Sequence, residues 1–146
     1  MALEDSWSKV LLELADDSLL FPIQLPQGLQ IRTLDPNSEI QAYVDLHREV
    51  FQSESMTYGW RAKATRMQDY VTALDLVVAS EAGDLVGFCV AWIRQLATGE
   101  LVGQLEPLGV RASHRGQKLS RSLMTEAIHR LRKLGAERIF VETDRQ

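Results

Sequence analysis

The sequence is poor in residues that form cross-links or bind metals. It holds one cysteine, Cys89, and three histidines, His47, His114 and His129, in 146 residues. A single cysteine cannot form a disulfide within the chain, and the histidines do not show the spacing of metal ligands. The composition therefore excludes a disulfide framework and predicts no metal site.

Long apolar runs are also missing. No run approaches the roughly 18 to 20 residues that a membrane span needs. The first six residues, MALEDS, are acidic, unlike the start of a secretory signal. The chain is 45% apolar and 25% charged, which is typical of one folded globular domain. We therefore expect a cytoplasmic protein with no membrane partner.

Positive charge is concentrated in one stretch. The net charge is −4, but residues 111–133 hold seven Lys or Arg and one acidic residue, so this stretch carries +6 and the remainder −10. Such a stretch indicates either an anionic ligand or a solvated basic helix face, and the sequence leaves both open. No aromatic residue interleaves with the basic ones, and the overall charge is negative, so we expect no nucleic-acid partner.

The spacing of apolar residues along the chain predicts that it has two parts. Apolar residues at helical spacing predict an N-terminal helix over residues 5–16, and a proline-containing connector follows. We therefore divide the chain into residues 1–27, an N-terminal helix and connector, and residues 28–146, the main domain. In the main domain, alternation predicts a strand over residues 29–34, and Ser38 with Gln41 forms a capping-box pattern for the next helix.

The rest of the domain predicts a mixed sheet. A weaker helix over residues 60–70 precedes a hairpin of residues 74–80 and 85–93, and a strand over residues 101–110 follows. A helix then runs from about Arg115 to Gly135, where glycine fits a C-terminal cap, and a last strand covers residues 139–143. The order βααβββαβ is that of an α+β fold, with a mixed, mostly antiparallel sheet flanked by helices.

The turn before the last helix predicts an anion site. An apolar strand gives way to the polar turn His114-Arg115-Gly116-Gln117, and an amphipathic helix follows. The start of a helix offers unpaired N–H groups and the positive end of the helix dipole. Four cations crowd the same region: Arg111, Arg115, Lys118 and Arg121. The pattern is typical of a site for a pyrophosphate.

These residues carry a resemblance to a known family. The blocks PLGVRASHRGQKLSRSLM (residues 107–124) and LGAERIFV (residues 134–141) resemble the GNAT superfamily of acyl-CoA N-acyltransferases. The resemblance covers about residue 29 to the end, and residues 103–110 are similar to its tandem, mycothiol-synthase-like branch. It implies the GNAT fold, acetyl-CoA (coenzyme A) as cosubstrate, no metal, and an acetyltransferase whose small-molecule or peptide amine acceptor attacks the thioester directly.

The resemblance also implies positions for the cofactor. In the family, backbone amides of the turn and first helical turn hold the pyrophosphate, and the preceding strand pairs with the pantetheine arm. The pyrophosphate positions are Arg115, Gly116, Gln117, Lys118, Leu119 and Ser120, and the pantetheine positions are Leu108, Gly109 and Val110.

Two departures from the family leave a second function open. Lys118 and Ser120 stand where two small residues are usual, and the sequence stops before the family's last helix and two strands. The alternative is a noncatalytic acyl-CoA-binding or assembly module. An unfinished sheet would leave an open edge, so we also expect a homo-oligomer formed through that edge.

Acyl transfer to an amine needs a base that takes the ammonium proton. Glu106 is the candidate, because it lies on the strand that leads into the turn and Pro107 favours a splay there. Glu106 could instead order Arg111 or the backbone, and Glu100 and Glu142 are weaker candidates. In the loop of residues 55–60, Tyr58 and Trp60 either line an acceptor pocket or cap the core. Cys89 and Trp92 are expected in the core.

Overall fold

A six-stranded mixed sheet with helices on both faces forms the fold in the computed structural model, which describes residues 9–17 and 20–144. Its elements are β1 (Lys9–Glu13), β2 (Leu29–Thr33), α1 (Ile40–Phe51), α2 (Tyr58–Ala64), β3 (Asp75–Ser80), β4 (Leu85–Gln95), β5 (Leu101–Val110), α3 (Leu119–Lys133) and β6 (Arg138–Asp144). The strand order is β1-β6-β5-β4-β3-β2. The described pairings are antiparallel except β5 with β6, which α3 connects. The predicted α+β class is confirmed.

The buried strand β3 shows how the two helical layers share one sheet. Successive side chains of a strand point to opposite faces. Leu76 and Val78 therefore pack with α3, whereas Val77 and Ala79 pack with α1. Apart from its last residue, Ser80, β3 is buried along its whole length. This explains why residues 76–79 form a continuous apolar run rather than an alternating one.

The crossover helix α3 packs closely on β5. Its apolar stripe, which includes Leu123, Ala127 and Leu131, is fully buried. A Cβ atom at Gly103 on β5 would lie 2.8 Å from Cδ1 of Leu131, so only glycine allows this approach. The helix ends at Lys133, and Gly135 follows with a φ of +100°, which confirms the predicted C-terminal cap position.

A buried ion pair ties α2 to the sheet. Arg61 of α2 donates from Nη2 to Asp75 Oδ2, and Tyr70 Oη donates to the same carboxylate oxygen at 2.6 Å. Arg61 is 2% exposed and Asp75 is 0% exposed. Removal of one partner of such a pair would leave an uncompensated buried charge, at a cost of about 3 to 5 kcal/mol. The pair therefore holds α2 in place.

The predicted capping box at Ser38 is wrong. The residue that caps α1 is Glu39, and no side chain bonds to the first helical N–H groups. Ser38 Oγ instead donates to Asp35 Oδ2 at 2.9 Å, and Gln41 Nε2 donates to Asp45 at 2.8 Å. Asp35 holds the turn before the helix, because it also accepts from the N–H of Asn37.

The predicted N-terminal helix is also wrong where the structure describes it. Residues 9–13 form β1, which pairs antiparallel with β6, from Lys9↔Asp144 to Glu13↔Phe140. Residues 5–8 lie outside the described part of the chain. An apolar stripe at helical spacing favours a helix locally, but β6 offers backbone partners that a lone helix does not have. The division at residue 28 stays a prediction.

The edge of β6 is therefore not open. β1 occupies it, so the physical ground for an oligomer through an unfinished edge at β6 does not hold. Among residues 9–17 and 20–144, no helix is long and apolar enough to cross a membrane. The same residues include no group of three His, Cys, Asp or Glu side chains placed to hold a metal ion.

A substitution at Gly109 tests how closely α1 packs on β5. A Cβ atom there would lie 2.6 Å from Phe88 Cζ and 2.8 Å from Val50 Cγ1. We expect Gly109→Ala to lower the free energy of unfolding by about 1 to 3 kcal/mol, because both neighbours would have to shift. Urea denaturation of the purified protein measures this. Gly59→Ala is the control, since no atom lies within 4 Å of its Cβ, and an equal loss there would contradict the explanation.

Candidate functional site

The strand β5 leaves its neighbours part-way along its length. Its described pairing with β6 runs from Val102↔Arg138 to Leu105↔Val141 and then stops, although both strands continue. Its pairing with β4 jumps from Ala91↔Leu105 to Cys89↔Leu108, so Glu106 and Pro107 face a single residue, Val90. This bulge opens the sheet at the place where the sequence predicts a splay.

Beyond the bulge, β5 turns part of its backbone toward the opening. Arg111 N–H donates to Val86 O at 2.8 Å, and Gly109 pairs with Phe88. In an antiparallel ladder the bonding direction alternates, so the N–H and C=O groups of Leu108 and Val110 point away from β4. These are the groups that an extended ligand could pair with as an added strand.

The polar turn forms a cleft of about 350 Å³ at the end of β5. Its lining residues come from the strand end, the turn and the first turn of α3: Val110, His114, Arg115, Gly116, Lys118, Leu119, Ser120 and Arg121. Gln117 lines an adjoining cleft of about 360 Å³ with Gly116 and Lys118. The structure thus brings six predicted pyrophosphate residues and Val110 together around one turn.

The cations of the basic stretch fall into two groups. Arg111 pairs with Glu49 of α1 at 2.7 Å, Arg130 pairs with Glu126, and Arg132 pairs with Asp17. In contrast, the side chains of Arg115, Lys118 and Arg121 have no carboxylate partner among the described residues, and all three line the cleft. The placement of Arg111 at the anion site is therefore wrong. Three of the four cations of this stretch without a carboxylate partner among the described residues lie at the turn, and the fourth, Lys133, lies at the far end of α3.

Arg115 and Lys118 shape the cleft in different ways. Arg115 Nε donates to Val110 O at 3.1 Å, which holds its guanidinium over the end of β5. Lys118 has a φ of +63° and a ψ of 22°, the left-handed conformation, and its C=O accepts the first helical bond from Ser122 at 3.1 Å. The following N–H groups have no acceptor within the helix and face the turn.

A second cavity, of about 270 Å³, lies on the other side of the bulge. It is lined by Tyr43, His47, Met56, Trp60, Arg61, Val90, Trp92, Glu106 and Pro107. The predicted base, Glu106, therefore lines a cavity whose other walls come from α1, α2 and β4. Gln104 Nε2 donates to Glu106 Oε2 at 3.4 Å, and the indole N–H of Trp92 donates to Glu106 O at 3.1 Å.

Aromatic side chains and one arginine form the wall of this cavity. The guanidinium of Arg61 lies 3.9 Å from the ring centroid of Tyr43, and His47 stacks on Phe88 at 5.7 Å. Burial first, and then the charge of Arg61, lower the pKa of His47 below its ordinary value, so its imidazole is neutral near pH 7. The carboxylate of Glu106 and the neutral imidazole of His47 therefore line the same cavity.

The structure gives the positions of most of the other candidates for the base and the core. Glu100 precedes β5 at the end opposite the turn, 3.8 Å from Arg138. The side chain of Glu142 lies outside the described part of the chain. Trp60 is 60% exposed and lines the cavity, and Tyr58 is 53% exposed, so neither caps the core. Trp92 is half-buried: it packs against the core cluster on the α1 face of the sheet and also lines the cavity.

Cys89 is a core residue, as predicted. It is fully buried on β4. Burial raises the pKa of its thiol to about 12. The thiol therefore stays protonated near pH 7 and cannot act as a nucleophile.

Comparison with known proteins identifies the family. The sequence matches the acetyltransferase (GNAT) family over residues 40–146, which is more than half of the chain. The chain belongs to the GNAT family. The fold agrees: a GCN5-related N-acetyltransferase from Sphaerobacter thermophilus superposes with a TM-score of 0.72 at 19% identity, over 99% of this chain and 47% of that one.

Curated relatives and a ligand-bound neighbour extend the comparison. Mycothiol acetyltransferases of Thermobispora bispora and Sanguibacter keddieii are 25% and 28% identical over 83% and 82% of this chain, and over 43% and 40% of their own lengths. The chain thus spans less than half the length of these relatives. An aminoglycoside acetyltransferase from an uncultured soil metagenomic sample, in complex with sisomicin, superposes with a TM-score of 0.69 at 18% identity, covering 81% of this chain and 79% of that one.

Within this GNAT chain, the sequence offered Trp60 as a pocket residue but did not indicate Tyr43, His47 and Arg61, which line the cavity from α1 and α2. His47 stands on an amphipathic helix, and Arg61 lies within a short one, so neither belongs to a local motif. They line the same cavity as Glu106 because α1 and α2 pack on the same face of the sheet. His114 and Arg121, which the sequence already placed in the polar turn and among its cations, also line the turn cleft.

The left-handed backbone conformation of Lys118 predicts that replacing it by glycine stabilises the protein. A side chain in this conformation costs about 1 to 2 kcal/mol, and glycine avoids the cost. We expect Lys118→Gly to raise the free energy of unfolding by about 1 kcal/mol after the extra freedom of the unfolded chain is counted. Gly116→Ala is the matched change, because Gly116 has a φ of +81° and open space around its Cβ. It should lose about 1 kcal/mol, and the same sign for both variants in urea denaturation would contradict this explanation.

Proposed function

We propose that this GNAT chain transfers the acetyl group of acetyl-CoA to an amine. The observation that carries the proposal is the position of the two cavities on either side of the bulge in β5. The cationic turn lies at the end of the strand, and Glu106 lies at its bulge. A molecule bound at the turn and extended along residues 108–110 would bring its far end toward Glu106.

The turn suits the pyrophosphate of coenzyme A. Three cations without carboxylate partners line the cleft together with the N–H groups of the first turn of α3. Helix N-termini and cationic side chains both favour phosphate, and charge-assisted hydrogen bonds to it are stronger than neutral ones. The outward N–H groups of Leu108 and Val110 and the C=O of Leu108 suit the amides of the pantetheine arm, whereas Val110 O already accepts a hydrogen bond from Arg115 Nε.

The chemistry requires a base and a polarised carbonyl. The carboxylate of Glu106 takes the proton of the acceptor ammonium, and the amine nitrogen then attacks the thioester carbonyl. A C–N bond forms and the C–S bond breaks, so that CoA leaves as a thiolate that takes up a proton. An outward N–H of β5 stabilises the negative charge that develops on the carbonyl oxygen.

The second cavity is the proposed site of the amine. The aromatic rings of Trp60, Trp92 and Tyr43 offer faces for an apolar or ring-containing acceptor, and Glu106 attracts a cationic amine. The relatives named for mycothiol and aminoglycosides support a small-molecule amine for this chain. A cytoplasmic location and a homo-oligomer stay predictions, and the second has lost its ground at the β6 edge.

Cofactor binding is tested by charge reversal at the turn. We expect the wild-type chain to bind CoA and acetyl-CoA in calorimetry, and Arg115→Glu to bind them about 10- to 100-fold more weakly, because a repulsive carboxylate replaces a phosphate donor. Lys133→Glu makes the same change of charge at the far end of α3 and should bind normally. Absence of binding by the wild type, or equal binding by both variants, would contradict the proposed site.

The role of Glu106 is tested separately from binding. We expect Glu106→Gln to keep the affinity for acetyl-CoA and to lower the rate of CoA thiol release with an amine by about 10²- to 10⁴-fold, since the amide cannot accept the proton. A thiol-reactive dye measures the release. An unchanged rate would show that another group is the base. If the wild type binds acetyl-CoA and releases no thiol across a panel of amines, the noncatalytic module is favoured instead.

A further inference from the structure

A small network around Tyr70 links the segment before β3 to two walls of the second cavity. Tyr70 Oη donates to Asp75 Oδ2 at 2.6 Å, and Arg61 Nη2 donates to the same oxygen. The ring of Tyr70 packs edge-on against Trp92, with the ring centroids 6.4 Å apart. Trp92 in turn donates its indole N–H to Glu106 O. Tyr70 therefore acts on the cavity from behind its walls, through its hydroxyl on one side and its ring on the other.

The contact between Arg61 and Asp75 uses one carboxylate oxygen rather than two. A guanidinium has five N–H donors, and its pairs with carboxylates frequently form a fork of two parallel bonds. Here Arg61 Nε and Asp75 Oδ1 are buried and have no hydrogen-bond partner among the described residues. Unpaired buried polar atoms are rare in proteins and need an explanation. The second bond of the fork is thus missing, although both of its atoms belong to side chains already in contact.

The hydroxyl of Tyr70 explains the missing bond. It donates to the oxygen that Arg61 also uses, so two donors meet at Oδ2 and fix the orientation of the carboxylate. Burial first, and then the hydrogen bond to Asp75, raise the pKa of Tyr70 above its ordinary value. The hydroxyl therefore keeps its proton near pH 7 and stays a donor.

Arg61 consequently keeps donors that the fold does not use. Its guanidinium lies 3.9 Å from the ring centroid of Tyr43, and both residues line the second cavity. A ligand in this cavity is the nearest source of an acceptor for these N–H groups. Because Asp75 already balances the charge of Arg61, a neutral oxygen suits this wall better than a second carboxylate does.

We propose that Tyr70 is a positioning residue for the second cavity: its hydroxyl keeps Asp75 in a one-oxygen contact with Arg61, so that the guanidinium donates to a hydroxyl or carbonyl oxygen of the bound amine. The proposal rests on the proposed function, because the second cavity must hold the acceptor. It narrows the acceptor to amines that also carry such an oxygen. Without the Tyr70 hydroxyl, the carboxylate turns, Oδ1 meets Nε, and the closed fork draws the guanidinium toward Asp75.

Nuclear magnetic resonance of Tyr70→Phe tests the positioning step without any ligand. Phenylalanine removes the hydroxyl and keeps the ring that packs on Trp92. The Nε–H signal of Arg61 is assigned through bonds from its own backbone. We expect this proton to move downfield in the variant, because Nε gains Asp75 Oδ1 as an acceptor. An unchanged Nε–H signal would overturn the positioning role.

Thr65→Val is the matched control. Thr65 Oγ1 donates to Ala62 O at 2.7 Å at the end of α2, and Thr65 does not line the second cavity. The variant therefore also loses one hydrogen-bonded hydroxyl, but not one that contacts Asp75. Its Arg61 signal and its kinetics should match those of the wild type, and urea denaturation checks that both variants are folded. The same signal shift in Thr65→Val would show that the effect is not specific to Tyr70.

Steady-state acetylation tests the contact with the acceptor. Amines are compared in pairs that differ in one hydroxyl: ethanolamine with propylamine, and tyramine with phenethylamine. We expect the wild type to have an about 10-fold higher kcat/KM for the hydroxyl-bearing member of a pair, as one hydrogen bond from a charged group implies. Tyr70→Phe should lose this preference through a higher KM for that member, with kcat and the affinity for acetyl-CoA close to those of the wild type.

The outcomes separate the proposal from the proposed function. If Tyr70→Phe weakens both members of each pair equally, the hydroxyl serves only the fold and the proposal is overturned. If the wild type acetylates both members equally well in both pairs, the oxygen contact of Arg61 is overturned. If the wild type binds acetyl-CoA and acetylates no amine, the proposed function fails, whereas the Nε–H signal still decides whether Tyr70 positions Arg61.

Discussion

The site depends on one constraint: β5 cannot stay paired with β6 beyond Leu105. Up to that residue β5 is an ordinary central strand, bonded on both sides. Beyond it, Glu106 and Pro107 form a bulge against β4, and the strand reaches Val110 with its β6 side unpaired among the described residues. Backbone groups in a sheet interior need partners. A ligand that pairs with β5 as a strand would supply these partners. The same bulge places Glu106 in the lining of the second cavity.

Charge is distributed to match this geometry. Arg130 and Arg132 are neutralised by carboxylates of the chain, and Arg111 is held by α1. Of the four cations left over, Arg115, Lys118 and Arg121 line the turn, where the helix dipole adds to their potential, and Lys133 lies at the far end of α3. The basic stretch is thus neither a uniform solvated face nor a general anion surface. Most of it stabilises the fold, and only its first helical turn is available to a ligand.

The N-terminal part of the chain contributes more than its sequence suggests. β1 closes the outer edge of β6, and the connector then crosses α3 through buried hydrogen bonds to Ser122 and Thr125. Ser122 and Thr125 lie among the buried, mostly apolar positions of α3. The pattern of the helix alone gives no reason for a polar side chain at these two positions. They are polar because the connector's backbone needs partners there. The cationic turn therefore lies beside a segment of the chain that is far from it in sequence.

The sequence by itself determined the main sheet, the crossover helix and the position of the cationic turn at residues 115–120, because these depend on local periodicity and on glycine and cation placement within one short motif. It failed at β1, at the partner of Arg111 and at the residues His47 and Arg61. Each of these depends on a contact with a distant strand or helix, and local patterns carry no record of such partners. Only the tertiary structure decided which cations stay unpaired and which side chains share a cavity with Glu106, because packing on the two faces of the sheet brings those residues together.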